Sequence, residues 1–225
     1  MSLAAEFDTW QNDYTAKILR WVPHYRKLIN SLADELPAGF QPSRILDLGC
    51  GNGNATALLV ERFPEAKITL LDASPEMLEA CKQRFNNRPD FEYVQAYFQD
   101  AHFDEGSFDL IVAAFALHHL DQTEKQAIFK KMSSWLNIGG ILSSSDLHAS
   151  KKESDYQQRV LDPWETFAKS QGTLNSEWDE LMAHHAQYDK PDNYEDQFAW
   201  LAQAGFKHSR IAWQAAHFGN FQAQR

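Results

Sequence analysis

The chain has 225 residues, 44% hydrophobic and 13% aromatic, enough for one sizeable α/β core with an elaboration on it. Lys and Arg number 21 against 31 Asp and Glu, a net charge of −10 with no basic run, which argues against unaided binding to a nucleic-acid backbone. Cys50 and Cys81 give neither a disulfide framework nor metal-ligand spacing and fit a reducing cytoplasm, and the polar, aromatic N-terminus lacks the apolar run of a signal peptide or membrane anchor.

Residues 5–36 read as two helices broken at Val22-Pro23-His24-Tyr25; the second carries Tyr25, Leu28, Ile29, Leu32 and Leu36 at helical spacing. Pro37-Ala38-Gly39 and Pro42 stop it, and strands then alternate with helices. Strand 44–48 leads to a helix from Asn54 to Phe63. Strand 67–71 leads to a helix that starts at Ser74-Pro75-Glu76, with Ser74 as cap, and runs to Phe85. Strands at 91–95 and 108–113 follow, then a helix at 122–136 broken by Asn137-Ile138-Gly139-Gly140, and a strand at 141–145. Repeated strand–helix units imply a parallel sheet with right-handed crossovers. Residues 151–190 leave this rhythm; polar and aromatic, with Tyr156, Trp164, Phe167, Trp178 and Tyr188, they read as helices over the active edge of the sheet. A helix at 193–204 and a hairpin of strands 206–214 and 217–224, turning near Gln214-Ala215-Ala216, close the chain. The expected division of this single domain is a helical cover at 1–40, a cofactor core at 41–150, a helical lid at 151–192 and the closing helix and hairpin at 193–225.

The chemistry is concentrated in Ile45-Leu46-Asp47-Leu48-Gly49-Cys50-Gly51-Asn52-Gly53-Asn54, where an apolar strand runs into a carboxylate, alternate glycines and a helix. The next strand, Ile68-Thr69-Leu70-Leu71, ends in Asp72. Together they describe a nucleoside cofactor across the carboxyl ends of two parallel strands, with backbone approaching at the glycines and Asp72 gripping both ribose hydroxyls. A dinucleotide loop needs G-x-G-x-x-G, but its third glycine position is Asn54, and Asp47 would repel a pyrophosphate. S-adenosylmethionine (SAM) has no phosphate and carries a sulfonium and an ammonium, so Asp47 is favourable by Coulomb attraction. SAM is therefore the expected cofactor, with S-adenosylhomocysteine as product, and a dehydrogenase is the least favoured reading.

The chain resembles the class I SAM-dependent methyltransferases over roughly residues 40–225. The resemblance rests on Asp47-Leu-Gly-Cys-Gly-Asn-Gly53, Leu71-Asp72-Ala-Ser-Pro-Glu-Met77 and Gln99-Asp100, with weaker support from Phe108-Asp-Leu-Ile-Val, His118-His119-Leu120 and Leu136-Asn-Ile-Gly-Gly140. It implies a Rossmann-like, doubly wound seven-stranded sheet whose last strand is antiparallel. It implies cofactor contacts from Tyr25, Asp47, Gly49, Cys50, Gly51, Asn52, Gly53, Asp72, Ala73, Met77, Gln99, Asp100, Ala101 and Ala114, with Asp100 accepting from the adenine amino group and Phe98 bordering the ring. A narrower similarity, carried by Val22-Pro23-His24-Tyr25 and by Ala204-Gly-Phe206 and Phe218-Gly219, is to the carboxy-S-adenosylmethionine synthases, which act in tRNA wobble-uridine modification. That family has an asparagine where this chain has Ala114, and a lid arginine facing the extra carboxylate where this chain has the non-basic stretch Glu180 to Ala183. A carboxylate buried without its arginine is costly, so ordinary SAM is expected.

His118 follows strand four above the expected methyl group and is a candidate general base, against the alternative of a histidine packing on the cofactor. His119, Asp146 and His148 lie at the same edge as weaker substrate candidates, with solvated loop positions the favoured alternative for the last two. Adjacent His184 and His185 point to different helix faces, so with Asp189 they offer no shared metal site, and no metal is expected. The expected activity is methyl transfer to an oxygen, nitrogen or carbon of a small molecule. Carboxy-SAM formation, a tRNA or protein methyltransferase and a non-catalytic SAM-binding protein stand as alternatives. No membrane partner is expected. Phe7, Trp10, Tyr14 and Trp21 of the N-terminal helices either cover the pocket or pair with a second subunit as a homodimer.

Overall fold

The computed structural model describes residues 2–10 and 14–225, the side chains of Thr9 and Trp10 excepted. Seven strands form one sheet: β1 (Arg44–Leu48), β2 (Lys67–Asp72), β3 (Phe91–Gln95), β4 (Phe108–Ala114), β5 (Leu136–Leu147), β6 (His208–Ala215) and β7 (Phe218–Gln224). Their order is β3-β2-β1-β4-β5-β7-β6; β1 to β5 are parallel, and β7 runs antiparallel to both β5 and β6. Chain order reverses between β1 and β4, and in an open α/β sheet ligands bind outside the carboxyl ends of strands at such a point. The registers Asp47↔Leu70 and Asp47↔Val112 bring those three strand ends level.

Side chains alternate between the two faces of the pleat. Ile45, Leu70, Leu110 and Val112 face one core, shared with α3 (Tyr25–Asp34), α4 (Asn54–Arg62) and α5 (Pro75–Arg84). Leu46, Leu48, Leu71 and Ile111 face the other, against Phe129 and Met132 of α6 (Gln122–Trp135) and Leu201 of α9 (Tyr194–Gln203). Local signals set the helix starts. Ser74 Oγ accepts from Met77 N at 3.0 Å, and Asp121 with Glu124 forms a reciprocal capping box that opens α6.

The remaining helices lie over the carboxyl edge. α1 (Leu3–Trp10) packs on α5, and α2 (Tyr14–Trp21) on α7 (Asp162–Ser170), which is followed by α8 (Asn175–Tyr188). Trp164 Nε1 donates to Trp21 O at 2.6 Å, and Arg20 forks onto Glu177 at 2.6 and 3.1 Å, tying the N-terminal helices to residues 157–188. The break at 22–24 falls where the sequence places it, between α2 and α3; residues 11–13 of the expected first helix lie outside the described residues. β5 starts at Leu136, five residues before the expected 141, because Leu136 already pairs with Phe108 across a register shift. The closing strands run to Ala215 and resume at Phe218, with Ala216 at φ 52° in the turn.

Candidate active site

Gly49 N and Cys50 N both donate to Leu71 O, at 2.8 and 3.0 Å, so the loop leaving β1 is folded against the end of β2. Gly49 sits at φ 76°, and a Cβ there would stand 2.7 Å from Ala116 Cβ and 3.2 Å from the Phe98 ring. Only glycine fits that close approach. Asp72 is fixed by two backbone donors, Gly51 N at 2.8 Å and Ser74 N at 2.9 Å. Ser74, not Asp72, caps α5, so the carboxylate keeps its remaining lone pairs for the cavity beside it. Burial pushes Asp72 upward against these hydrogen bonds.

That cavity measures about 230 Å³. Of the residues expected at a cofactor, Tyr25, Gly49, Cys50, Gly51, Asn52, Asp72, Ala73, Met77, Gln99 and Ala114 line it. Four do not. Asp47 is fully buried beneath the loop, with Oδ2 taken by Thr56 Oγ1 at 2.6 Å; burial outweighs that bond and raises it to about 7. Gly53, at φ 83°, faces α5, where a Cβ would meet Phe85 at 2.6 Å. Asp100 is exposed, and Ala101 is buried in the α6 core, its carbonyl accepting from Lys131 Nζ. Burial holds the Tyr25 hydroxyl at about 12, and its ring tilts against Phe115 at 5.9 Å. Phe7, Tyr14, Phe98, Phe115 and His119 also line it.

Phe7, Tyr14, Phe115 and His119 also border a second, smaller cavity of about 60 Å³. Its other walls are apolar and aromatic, including Trp21, Trp164 and Phe218, and its polar lining is His118, His119, His184 and Asp189. These side chains form one buried network. His118 Nδ1 meets Asp146 Oδ1 at 2.5 Å, and its Nε2 stands 3.4 Å from Asp189 Oδ1. His119 Nδ1 and His184 Nε2 stand 3.2 and 3.4 Å from that same oxygen, while Asp189 Oδ2 meets His185 Nδ1 at 2.7 Å. Burial alone would lower His118, but the Asp146 and Asp189 carboxylates outweigh it and raise it to about 10. Burial and then the neighbouring His118 charge push His119 down to about 4, leaving it neutral at pH 7.

Three expectations at this edge need correction. Asp146 and His148 are buried, not solvated. Asp146 accepts from the backbone of His118 and Leu147 as well as meeting the His118 ring, because the end of β5 tucks under the His118 turn. His148 is turned away from both cavities, held between Gly219 O and Gln197 Nε2 and stacked on Tyr194, so it packs the β7 edge. His184 and His185 do reach a common acid, because the chain leaves α8 with Asp189 folded back under its last turn, in reach of both. The trio His118, His119 and Asp189 places one ligand atom each within 4.8 Å of the others, a set able to hold a metal ion. Pairing across 70 residues is invisible to local spacing. No helix among the described residues is long and apolar enough to cross a membrane.

Comparison with known proteins agrees with the fold and the glycine loop. A family model described as a methyltransferase domain matches residues 45–140. A carboxy-S-adenosyl-L-methionine synthase from Citrobacter koseri is 29% identical over 212 residues, covering 92% of this chain and 85% of that protein. Among solved structures, an O-methyltransferase family 2 protein from Planctomyces limnophilus in complex with apigenin superposes with TM-score 0.69 at 17% identity, over 100% of this chain and 62% of that one. A SAM-dependent methyltransferase from Thermotoga maritima, described as a possible histamine N-methyltransferase, gives 0.65 at 14% identity over 99% of each. Residues 45–140 thus carry a methyltransferase domain, and the proteins similar to this chain use SAM as their cofactor.

Proposed function

We propose that the protein transfers a methyl group from SAM to a small molecule held in the second cavity. The observation that carries this reading is the pair of adjoining cavities with His119, Phe7, Tyr14 and Phe115 as their common wall. Asp72, oriented by Gly51 N and Ser74 N, is placed to accept from the ribose diol; Gly49 and Gly51 bring backbone against the methionine end; Met77, Phe98 and Gln99 border the adenine. Bound there, SAM supplies a sulfonium methyl open to direct in-line attack by a substrate oxygen, nitrogen or carbon.

The chain's own residues align the acceptor and exclude water. Residues 151–192 act as the cover, with Trp164 and His184 closing the substrate side. His119 stands on the wall shared by the two cavities and faces the acceptor, whereas the ring of His118 is held by Asp146 through Nδ1. Asp47 supports the loop from beneath rather than touching the cofactor.

Carboxy-SAM formation is the second reading, favoured by the relative that spans 92% of the chain. Against it, Ala114 lines the cavity, no arginine does among the described residues, and Lys190, which does, faces Glu124 at 3.7 Å. Incubation with SAM bearing an isotopically labelled methyl and a panel of small phenols, amines and acids tests the proposal. S-adenosylhomocysteine with a labelled product supports it. Carboxy-SAM formed from SAM and an α-keto acid donor, with no labelled acceptor, overturns it.

A further inference from the structure

We propose that His118 Nε2, His119 Nδ1 and Asp189 Oδ1 bind one divalent transition-metal ion of the zinc class, with its open position toward the second cavity. Ligand atoms about 2.0–2.1 Å from a tetrahedral ion stand about 3.3 Å apart. The two histidine nitrogens stand 3.4 and 3.2 Å from Asp189 Oδ1, and all three atoms fall within 4.8 Å of one another.

The same atoms are poorly used by hydrogen bonds. Asp189 Oδ1 and both ring nitrogens of His119 are buried with no hydrogen-bond partner, although the two side chains are each only 7% exposed. Unpaired buried polar atoms are rare, and each calls for an explanation. Their contacts lie at ion-pair distance without hydrogen-bond alignment, which is how ligands around a cation are arranged.

The surroundings supply the outer contacts that metal ligands need. His118 gives its other nitrogen to Asp146 at 2.5 Å, a carboxylate–histidine pair that fixes the ring with Nε2 inward. The second oxygen of Asp189 is held by His185 Nδ1 at 2.7 Å, and His185 Nε2 by Tyr156 Oη at 3.0 Å. His184 Nε2, 3.4 Å from Asp189 Oδ1, lies beside the group, its own Nδ1 on Glu6 at 2.8 Å. Charge points the same way. Asp146 and Asp189 place two carboxylates in one buried network, and a divalent ion that displaces the His118 proton balances them. Two imidazoles and one carboxylate suit zinc, iron or cobalt over calcium or magnesium, which prefer oxygen.

The ligand completing the sphere would be a substrate oxygen, a hydroxyl or carboxylate on an aromatic body, given the walls of Trp21, Phe115, Trp164 and Phe218. That role rests on the methyl-transfer reading; the metal site does not.

The test uses the full chain, stripped by chelator and titrated with Zn²⁺ by calorimetry and with Co²⁺ by visible absorption, with SAM binding measured on the same sample. One equivalent and the intense d–d bands of four-coordinate Co²⁺ are expected. Asp189→Asn should weaken Zn²⁺ at least tenfold and Asp146→Asn about 10–100-fold. His102→Gln, a remote histidine, should change nothing. A wild-type chain that binds SAM but neither metal overturns the site and leaves the methyltransferase reading intact. Binding that survives Asp189→Asn also overturns it. If the variants do not fold, the wild-type Co²⁺ spectrum decides: weak bands of octahedral aqua-type Co²⁺ overturn the proposal. Metal binding without SAM binding would instead count against the methyl-transfer reading alone.

Discussion

The first cavity is walled largely by turns leaving β1, β2 and β4, each held by main-chain bonds such as Gly49 N and Cys50 N to Leu71 O. The second is walled by side chains drawn from Phe7 to Phe218, on covering helices and strand ends far apart in the chain. The first is therefore specified by backbone geometry and by one carboxylate, Asp72. The second is specified by packing and by a buried charge network. Chemistry common to a family belongs in the first kind of site and substrate choice in the second, because side chains on covering helices change without disturbing the sheet.

If the two are separable, damage to one should spare the other. Trp164→Ala should cost about 3–5 kcal/mol of stability, since it empties a buried indole site and removes the bond to Trp21 O. The protein that remains folded should keep its SAM affinity, read by denaturant unfolding beside calorimetry; a parallel loss of SAM binding would join the two regions. Gly49→Ala attacks the other side. Its Cβ meets Ala116 at 2.7 Å at a positive φ, so a loss of about 3 kcal/mol is expected, with SAM binding abolished. Gly51→Ala is the control: φ is also positive, at 53°, but no atom lies within 4 Å, so about 1 kcal/mol is expected.

Asp72→Ala should weaken SAM by about 2 kcal/mol, close to 30-fold, and leave Gly51 N and Ser74 N without their acceptor. Unchanged affinity in calorimetry would remove Asp72 from the cofactor site.

The last effect is a pH dependence. Asp47 is raised to about 7 by burial, so between about pH 4 and 7 the folded chain holds a proton that the unfolded chain has released. Its contribution to stability is complete below that window and falls as pH rises through it, by about 1 kcal/mol per pH unit at the steepest. Asp47→Asn should remove this slope, so that the wild-type and variant curves diverge across the window; parallel curves would place the carboxylate in water.

This contrast also explains what the sequence disclosed. The β1 glycine loop and the acid ending β2 are local patterns, and the Ser74-Pro75 start and the strand–helix alternation are equally local, so sheet, hairpin and the edge that carries the first cavity were all legible. The misplaced residues depend on which face a loop turns. Asp47 has the right spacing but points down to Thr56, and Ala101 turns into the α6 core. The histidine network was illegible because it joins His118 and His119 to Asp146, His184 and Asp189. No short-range pattern encodes that meeting, and adjacent histidines on a helix converge only because Asp189 folds back beneath α8.

The most direct test of the central claim is mass spectrometry of small molecules released when the purified protein is denatured, with a SAM titration of the emptied protein. The account predicts SAM or S-adenosylhomocysteine in the released fraction and saturable SAM binding that Asp72→Ala weakens. A released species heavier by one carboxyl group, or a protein that fails to bind SAM at all, would contradict it.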